Sequence, residues 1–570
     1  MKTVIALCLS AVLLSACGSL WGGMGRNSPL SQSSPIVDSA GYPSTMTPFQ
    51  PEGYTPPPTA TVTSLPGQPT ATPIVVSLYI SPAVPAALRS SVPAVGVTLA
   101  AGPDAANTRL DVVNPESSGN SQPSSIWYYA LVAPFPTLTD DVSLADITNA
   151  WAGNASGPFA GQPIWMDEST QAAFTALWGV PSAGAVSLAP TGSLVDSAWA
   201  ARPAWAIIPF ESIEPRWKVL SVDGQSPLHN DFDSNAYPLK IQFSLQPAAF
   251  NLPATNRDPS KLTVLAMTGV TALVRATADQ MEKRGVLYPG EAVRDVLRAA
   301  DLTHVSNEIA FDPNCPTPNP WTESLVFCSD PKYMELLKDV GTDIVELTGN
   351  HLLDYGPQDV FLTLDMYDQQ GMKYFGGGRD LAEANRPLTV TDHGNKLAFL
   401  GCNYAGPPSD FATETRPGST PCDFDLMETQ IADLRAQGYL PIVTFQYYEY
   451  YYPTPSDYEL RDFPRMAQAG AAIVSGSQSH VPAAMEFNGA SFIHYGLGNL
   501  FFDQMSHLMD DGSTIYDTRY LFIDRHVFYD NKYLGTELLS YIIENYARPR
   551  PMTEAERTKF LQNIFSAAGW

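Results

Sequence analysis

The run Leu347-Thr348-Gly349-Asn350-His351-Leu352-Leu353-Asp354-Tyr355-Gly356 constrains the fold of this chain most tightly. It follows an apolar stretch, Asp343-Ile344-Val345-Glu346-Leu347, which predicts a short buried strand. After it, Val360, Leu364 and Tyr367 recur at helical spacing. A buried strand that feeds a helix belongs in an α/β sheet. Asn350 and His351 then lie at the carboxyl edge, where open α/β sheets bind ligands. An amide oxygen beside an imidazole can hold a divalent metal. The same pair also reads as a helix cap and a packed histidine.

The surrounding pattern supports a layered α/β domain from Lys261 onward. Leu262 to Met267, Lys396 to Leu400, Pro441 to Phe445, Ala472 to Ser475 and Ser491 to Tyr495 read as strands. Helices are expected over Pro289 to Ala300, Asp425 to Gln437, Phe463 to Ala469 and Thr553 to Ser566. An earlier mixed α/β region runs from Val75 to Leu252, and Pro253 to Ser260 reads as a linker. At 570 residues the chain is too long for one core, so several domains are expected.

Net charge narrows the partners. With 32 Lys+Arg against 58 Asp+Glu, the formal charge is -26. Such a surface repels phosphate backbones, so no nucleic acid partner is expected. Lys2 precedes the apolar run Val4 to Leu14 and then Leu14-Ser15-Ala16-Cys17. This reads as an export signal, too short to span a membrane as a mature helix. Leu-Ser-Ala-Cys resembles the lipobox of bacterial lipoproteins. The resemblance implies cleavage before Cys17, lipidation of Cys17, and a lipid-anchored, extracytoplasmic protein on a bacterial membrane. Residues 18–74, rich in Pro, Ser and Thr, read as a disordered tether. Cys315, Cys328, Cys402 and Cys422 remain, an even number in an exported chain. Two disulfides are expected, with Cys315–Cys328 and Cys402–Cys422 the local pairings.

The earlier region carries Tyr129 to Pro134 with the helix ending Trp151-Ala152-Gly153, Val222-Asp223-Gly224, and Tyr237-Pro238-Leu239. In these passages residues 75–252 are weakly similar to phosphate-type periplasmic substrate-binding proteins. The resemblance implies hydroxyl and helix-amide contacts to a small anion, with Ser169 and Thr170 as candidates. A scaffold with this fold and no ligand is the other reading.

The second region carries, in order, Gly269 to Arg275, Ala300-Asp301-Leu302, Asn307-Glu308, Gly349 to Gly356, Gly376-Gly377-Gly378, Phe445 to Tyr450, Gly476 to Val481, and Tyr495 to Gln504. In these landmarks it resembles the CapA family of poly-γ-glutamate capsule synthesis, built on the calcineurin-like metallophosphatase fold. The fold expectation is therefore α/β, a layered metallophosphatase-type domain over 261–570 preceded by a smaller binding-protein-like domain. The resemblance implies Asn350, His351, His480 and Glu308 as metal ligands or polar lining, with His351 and His480 catalytic. Three positions depart from the family: Val270 replaces its Asp, Phe445 the histidine of its His-Trp-Gly, and Gln478 the first histidine of its last pair. Valine and phenylalanine cannot coordinate, and a neutral amide is a poor substitute for imidazole. At most one weakly held divalent metal (Mn, Zn or Mg) is expected, or none. The implied function is assembly or handling of an anionic polymer, with phosphoesterase activity absent or very low. The alternative is a non-catalytic binding protein for a glycan, polyglutamate or a small anion. The run Tyr447 to Tyr452 could line a cleft or stack on a sugar. His494 is expected to pack.

Overall fold

The computed structural model describes residues 76–113 and 124–570. Cys17 and the tether lie outside the described residues. Residues 72–570 form one compact unit, and its two halves share core.

The first half is a mixed sheet organised by the strand Ser124–Pro134, whose last eight residues are buried. That strand pairs antiparallel with Lys240–Gln246 and then Trp217–Val222 along one edge and with Trp205–Pro209 on the other. Parallel strands complete each side: Val97–Leu99, Val76–Ile80 and Thr108–Val112 on one, Ile164–Met166 and Val186–Leu188 on the other. The first half is thus a mixed α/β layout, as expected from the sequence. Leu262, Val264, Val527 and Leu534 from the second half complete this core.

The second half contains two stacked sheets. One carries Lys373–Phe375, Ile344–Glu346, Leu302–Asn307 and Leu262–Thr271 in parallel, then Tyr520–Tyr529, Lys532–Glu544 and Arg548–Pro551 antiparallel. The other runs Leu388–Asp392, Asn395–Asn403, Leu440–Gln446, Ile473–Ser477, Ser491–His494 and Met485–Asn488, with its middle four parallel. Alternation along each strand decides which layer a side chain joins. Leu265 and Met267 meet Leu397, Phe399, Ile442, Ile473 and Phe492 between the sheets. Ala398, Leu400, Val443, Phe445 and Val474 face outward against the helices Phe424–Ala436 and Asp457–Ala469. Helices including Pro357–Gln370 cover the outer face of the first sheet. The result is a four-layer α/β arrangement, helices outside and two sheets inside, as the sequence resemblance implies.

Local details differ from expectation for local reasons. The expected Pro289 to Ala300 helix is a 3-10 turn, Tyr288–Gly290, and then a short helix, Arg294–Arg298. The helix expected from Phe463 begins at Asp457, where Ser456 and Glu459 form a capping box. Cys315–Cys328 and Cys402–Cys422 are both bonded, as the local pairing predicts.

Candidate functional site: an imidazole and amide cleft at the strand ends

Four parallel strands deliver the site. Glu308 follows Leu302–Asn307, and Asn350 and His351 follow Ile344–Glu346. Gln446 ends Leu440–Gln446, and Gln478 and His480 follow Ile473–Ser477. Close backbone approach makes this possible: a Cβ on Gly349 would lie 2.4 Å from Glu308 Cα. Gln478 and His480 both hold left-handed backbone, φ 79° and 55°. Such strain persists only where the surroundings impose it, and it concentrates at functional sites.

Each histidine is oriented from behind. His351 Nδ1 donates to Asp354 Oδ2 at 2.8 Å, and that oxygen also accepts from Phe327 N at 2.7 Å. His351 Nε2 is thereby turned toward Glu308 Oε1, 3.7 Å away. His480 Nδ1 donates to Asn499 Oδ1 at 2.8 Å. The Asn499 amide nitrogen donates to the carbonyls of His480 and Thr518, which fixes its oxygen as the acceptor. His480 Nε2 then lies 3.6 Å from Glu449 Oε1. Buried Glu308 has one carboxylate oxygen, Oε2, without a hydrogen-bond partner.

Charge favours protonated imidazoles. Burial pulls the His351 imidazole down, but the Asp354 bond and the Glu308, Asp354 and Asp410 charges outweigh it and raise its pKa. Burial likewise opposes the His480 cation, and the nearby Glu449 and Glu308 carboxylates outweigh it and raise its pKa. His480 in turn holds Glu449 below the usual carboxylate range. Burial and the neighbouring Asp354 charge push Asp410 up to about 7, against the pull of His351.

The expected place of Phe445 needs correction. Phe445 points outward and stacks on Phe463 at 4.7 Å in the helix-facing core. One residue on, strand parity turns Gln446 to the inner face that Ile442 occupies. Its Nε2 donates to Asn350 Oδ1 at 2.9 Å and makes a short bond to Gln478 Oε1, while Ser477 Oγ donates to its Oε1 at 2.6 Å. Gln446 therefore stands at the strand end, where the family histidine was expected. Val270 is fully buried at the end of its strand.

This donor set does not fit a two-metal centre. The Asn350 oxygen is already bonded to Gln446, two ligand positions are amides, and Val270 offers no bridging carboxylate. Among the described residues, the His and acidic side chains whose donors all lie within 4.8 Å of one another are Asp301, Asp392 and His393, not Glu308, His351 and His480.

Aromatic rings wall the cleft. Phe502 stacks on His480 at 5.1 Å, Phe327 lies 4.6 Å from His351, and Tyr451 stacks on His507 at 3.6 Å. Arg275 sits over Phe327 and Phe502 and pairs with Asp503, joining the first and last family landmarks. The tyrosine run divides: Tyr447 is core, whereas Tyr448 and Tyr452 are exposed. His494 packs as expected, fully buried and bonded to Asp524 at 2.6 Å. Gln446, Glu449, Asp410 and Asn499 were not singled out from sequence as site residues. For Gln446 the signal was available in strand parity.

In the first half, Asp167 caps the helix Glu168–Trp178 and accepts from Thr170 N, Ser169 Oγ and Thr191 Oγ1. The side-chain bonds of Ser169 and the amide of Thr170 are thus satisfied by a carboxylate of the chain itself. Burial opposes its charge, but those bonds outweigh it and hold Asp167 ionised, which disfavours an anionic ligand there.

Residues 264–504 match the family model described as bacterial capsule synthesis protein PGA_cap. The chain is 24% identical over 226 residues to the PGA biosynthesis protein CapA of Bacillus subtilis (strain 168), covering 39% of this chain and 59% of that protein. It is 24% identical over 283 residues to the capsule biosynthesis protein CapA of Bacillus anthracis, covering 46% and 68%. Among solved structures, a 5'-nucleotidase precursor from Thermus thermophilus aligns over 54% of this chain and 58% of that one, at 12% identity and a TM-score of 0.27. The cleft of Glu308, His351, Gln446 and His480 lies within the stretch that matches the capsule synthesis family model.

Proposed function

We propose that this chain is an extracytoplasmic lipoprotein, anchored at Cys17, that handles an anionic polymer of the poly-γ-glutamate type, and that its cleft binds polymer instead of carrying out two-metal phosphoryl chemistry. The family match and the names of the relatives support the polymer class. The observation that carries the binding reading is the Gln446 clamp, which joins Asn350 and Gln478 where the fold would place metal ligands. A γ-linked polyamide offers carboxylates to the raised imidazoles of His351 and His480 and amides to the Gln446 and Gln478 groups. Phe502 and Tyr451 give its methylenes an apolar wall. Short-range recognition of this kind is needed because the net charge of -26 repels a polyanion at a distance. Exposed Tyr448 and Tyr452 beside the cleft favour a glycan as the second reading.

If a divalent ion is used, Glu308, His351 and His480 are the residues left to hold it, after a side-chain movement that brings their donors together. The test against the enzymatic reading is hydrolysis of an aryl phosphate with added manganese or zinc. The expected result is little or no turnover. Robust metal-dependent turnover that disappears in the His351→Ala, His480→Ala double variant would overturn the proposal. For the anchor, Cys17→Ala should move the protein from the membrane to the soluble fraction. Unchanged membrane partitioning would reject that part. Among the described residues no helix is long and apolar enough to cross a membrane.

A further inference from the structure

Unpartnered acceptors at the strand-end cleft distinguish one part of a polymer from the rest. Glu308 is 2% exposed and its Oε2 makes no hydrogen bond. Its Oε1 stands 3.7 Å from His351 Nε2, longer than a hydrogen bond. The carboxylate thus meets the cleft with a buried oxygen that no donor of the chain reaches. Gln504 Oε1 is a second buried acceptor without a partner. Burial, then the Glu449 charge and lastly that of Glu308 raise the Tyr451 hydroxyl, which accepts from Gln504 Nε2 at 2.8 Å. Tyr451 therefore connects the two residues.

Two further carboxylates face the same imidazoles. Asp354 lies 2.8 Å from His351 Nδ1, and Glu449 lies 3.6 Å from His480 Nε2. Glu308, Asp354 and Glu449 thus stand against two imidazoles, so negative charge is left over whether or not the imidazoles are protonated. Of the nearby guanidiniums, Arg275 is paired with Asp503, and Arg416 acts on Asp410. His507, stacked on Tyr451, is a weaker influence on Glu449 than His480 is.

Leaving a buried acceptor unpaired costs free energy, and more so when it is charged. Glu308 Oε2 therefore marks a place for a donor, and the excess of carboxylates makes a cation the better one. A γ-linked chain of glutamates has one cationic donor, the α-ammonium of its amino-terminal residue. In every later residue that nitrogen is an amide, with one N–H and no charge. The amino-terminal residue alone holds a three-donor ammonium and a carboxylate on the same carbon.

We propose that the strand-end cleft recognises the amino-terminal residue of the polymer, its ammonium meeting Glu308 and Gln504 and its α-carboxylate meeting His351 and His480. The chain would leave from the γ-carbonyl. The inference rests on the polymer reading of the same cleft and narrows it from any stretch of chain to one end.

The test is calorimetric titration of the full chain, after EDTA treatment, with synthetic γ-linked glutamate pentamers whose amino terminus is free or acetylated. The free pentamer is expected to bind, and the acetylated one to be weaker by about tenfold or more, the usual worth of a hydrogen bond to a charged group. Glu308→Gln should weaken the free pentamer and bring the two within about threefold of each other. Equal binding of the two pentamers by the parent would overturn the amino-end inference and leave the polymer reading standing. Binding of long poly-γ-glutamate but of neither pentamer would do the same, and binding of none of the three would overturn both. A preference for the free end that survives in a folded Glu308→Gln variant would also overturn the inference; if that variant fails to fold, the comparison on the parent decides.

Discussion

Replacing Asp410 by Asn isolates the electrostatics of the cleft. Asp410 is buried, has one carboxylate oxygen without a hydrogen-bond partner, and is pushed up to about 7 by burial first and the Asp354 charge second. In the unfolded chain it titrates near 3.8. The folded state therefore keeps a proton that the unfolded state has lost between these values. Stability is fully present below pH 3.8 and is lost as pH rises through about 7. At about 1.36 kcal/mol per unit, the ionised carboxylate costs about 4 kcal/mol at pH 8, and under about 1 kcal/mol at pH 4. Asn cannot ionise, so Asp410→Asn should be more stable than the parent at pH 8 by up to that amount and nearly equal to it at pH 4. Denaturant unfolding at several pH values reads the difference. The Asp410 charge also supports the His351 cation, so the His351 titration, followed by NMR of labelled histidine, should move down in the variant. A stability change of the same size at both pH extremes, or a loss at pH 8, would refute the reasoning.

Strand parity predicts that Phe445→Ala costs about 3–5 kcal/mol by emptying core, with little effect on ligand binding. Gln446→Leu should cost about 1–3 kcal/mol by orphaning Ser477 and Asn350, and should lose binding; unfolding midpoints and polymer titrations on both variants check the pair. Because His351 and His480 are raised above 6.5, their contribution is full below that value and is lost as pH rises through their folded values. Polymer binding should therefore weaken from pH 6 to pH 9, and a flat profile in a titration series would count against imidazolium contacts. Closing the Cys315–Cys328 and Cys402–Cys422 loops should stabilise by about 3 kcal/mol each, measured as the drop in unfolding midpoint when each pair is replaced by Ala.

Much of the second half was legible because continuous apolar strands alternate with helical spacing, and because short landmarks fall at strand ends. Asn350, His351, Glu308 and His480 reach one edge since their strands are parallel and share a direction. Phe445 was misplaced because matching letters to a motif ignores which face a residue takes. The outward packing of Phe445 on Phe463 and the inward turn of Gln446 follow from alternation, a constraint the motif does not carry. Asp410 and Asn499 were invisible for another reason. Asp410 comes from a loop between strands and Asn499 from a strand paired across the sheet, and their roles depend on long-range closure.

The most direct measurement is calorimetric titration of poly-γ-glutamate onto the purified protein after treatment with EDTA, at pH 6 and physiological salt. The account predicts saturable binding that persists without metal, is lost in the His351→Ala, His480→Ala variant, and does not weaken when salt is raised from about 0.01 to 0.15 M, because screening relieves the overall repulsion. Binding that is absent, requires added metal, or is unchanged in the double variant would contradict it.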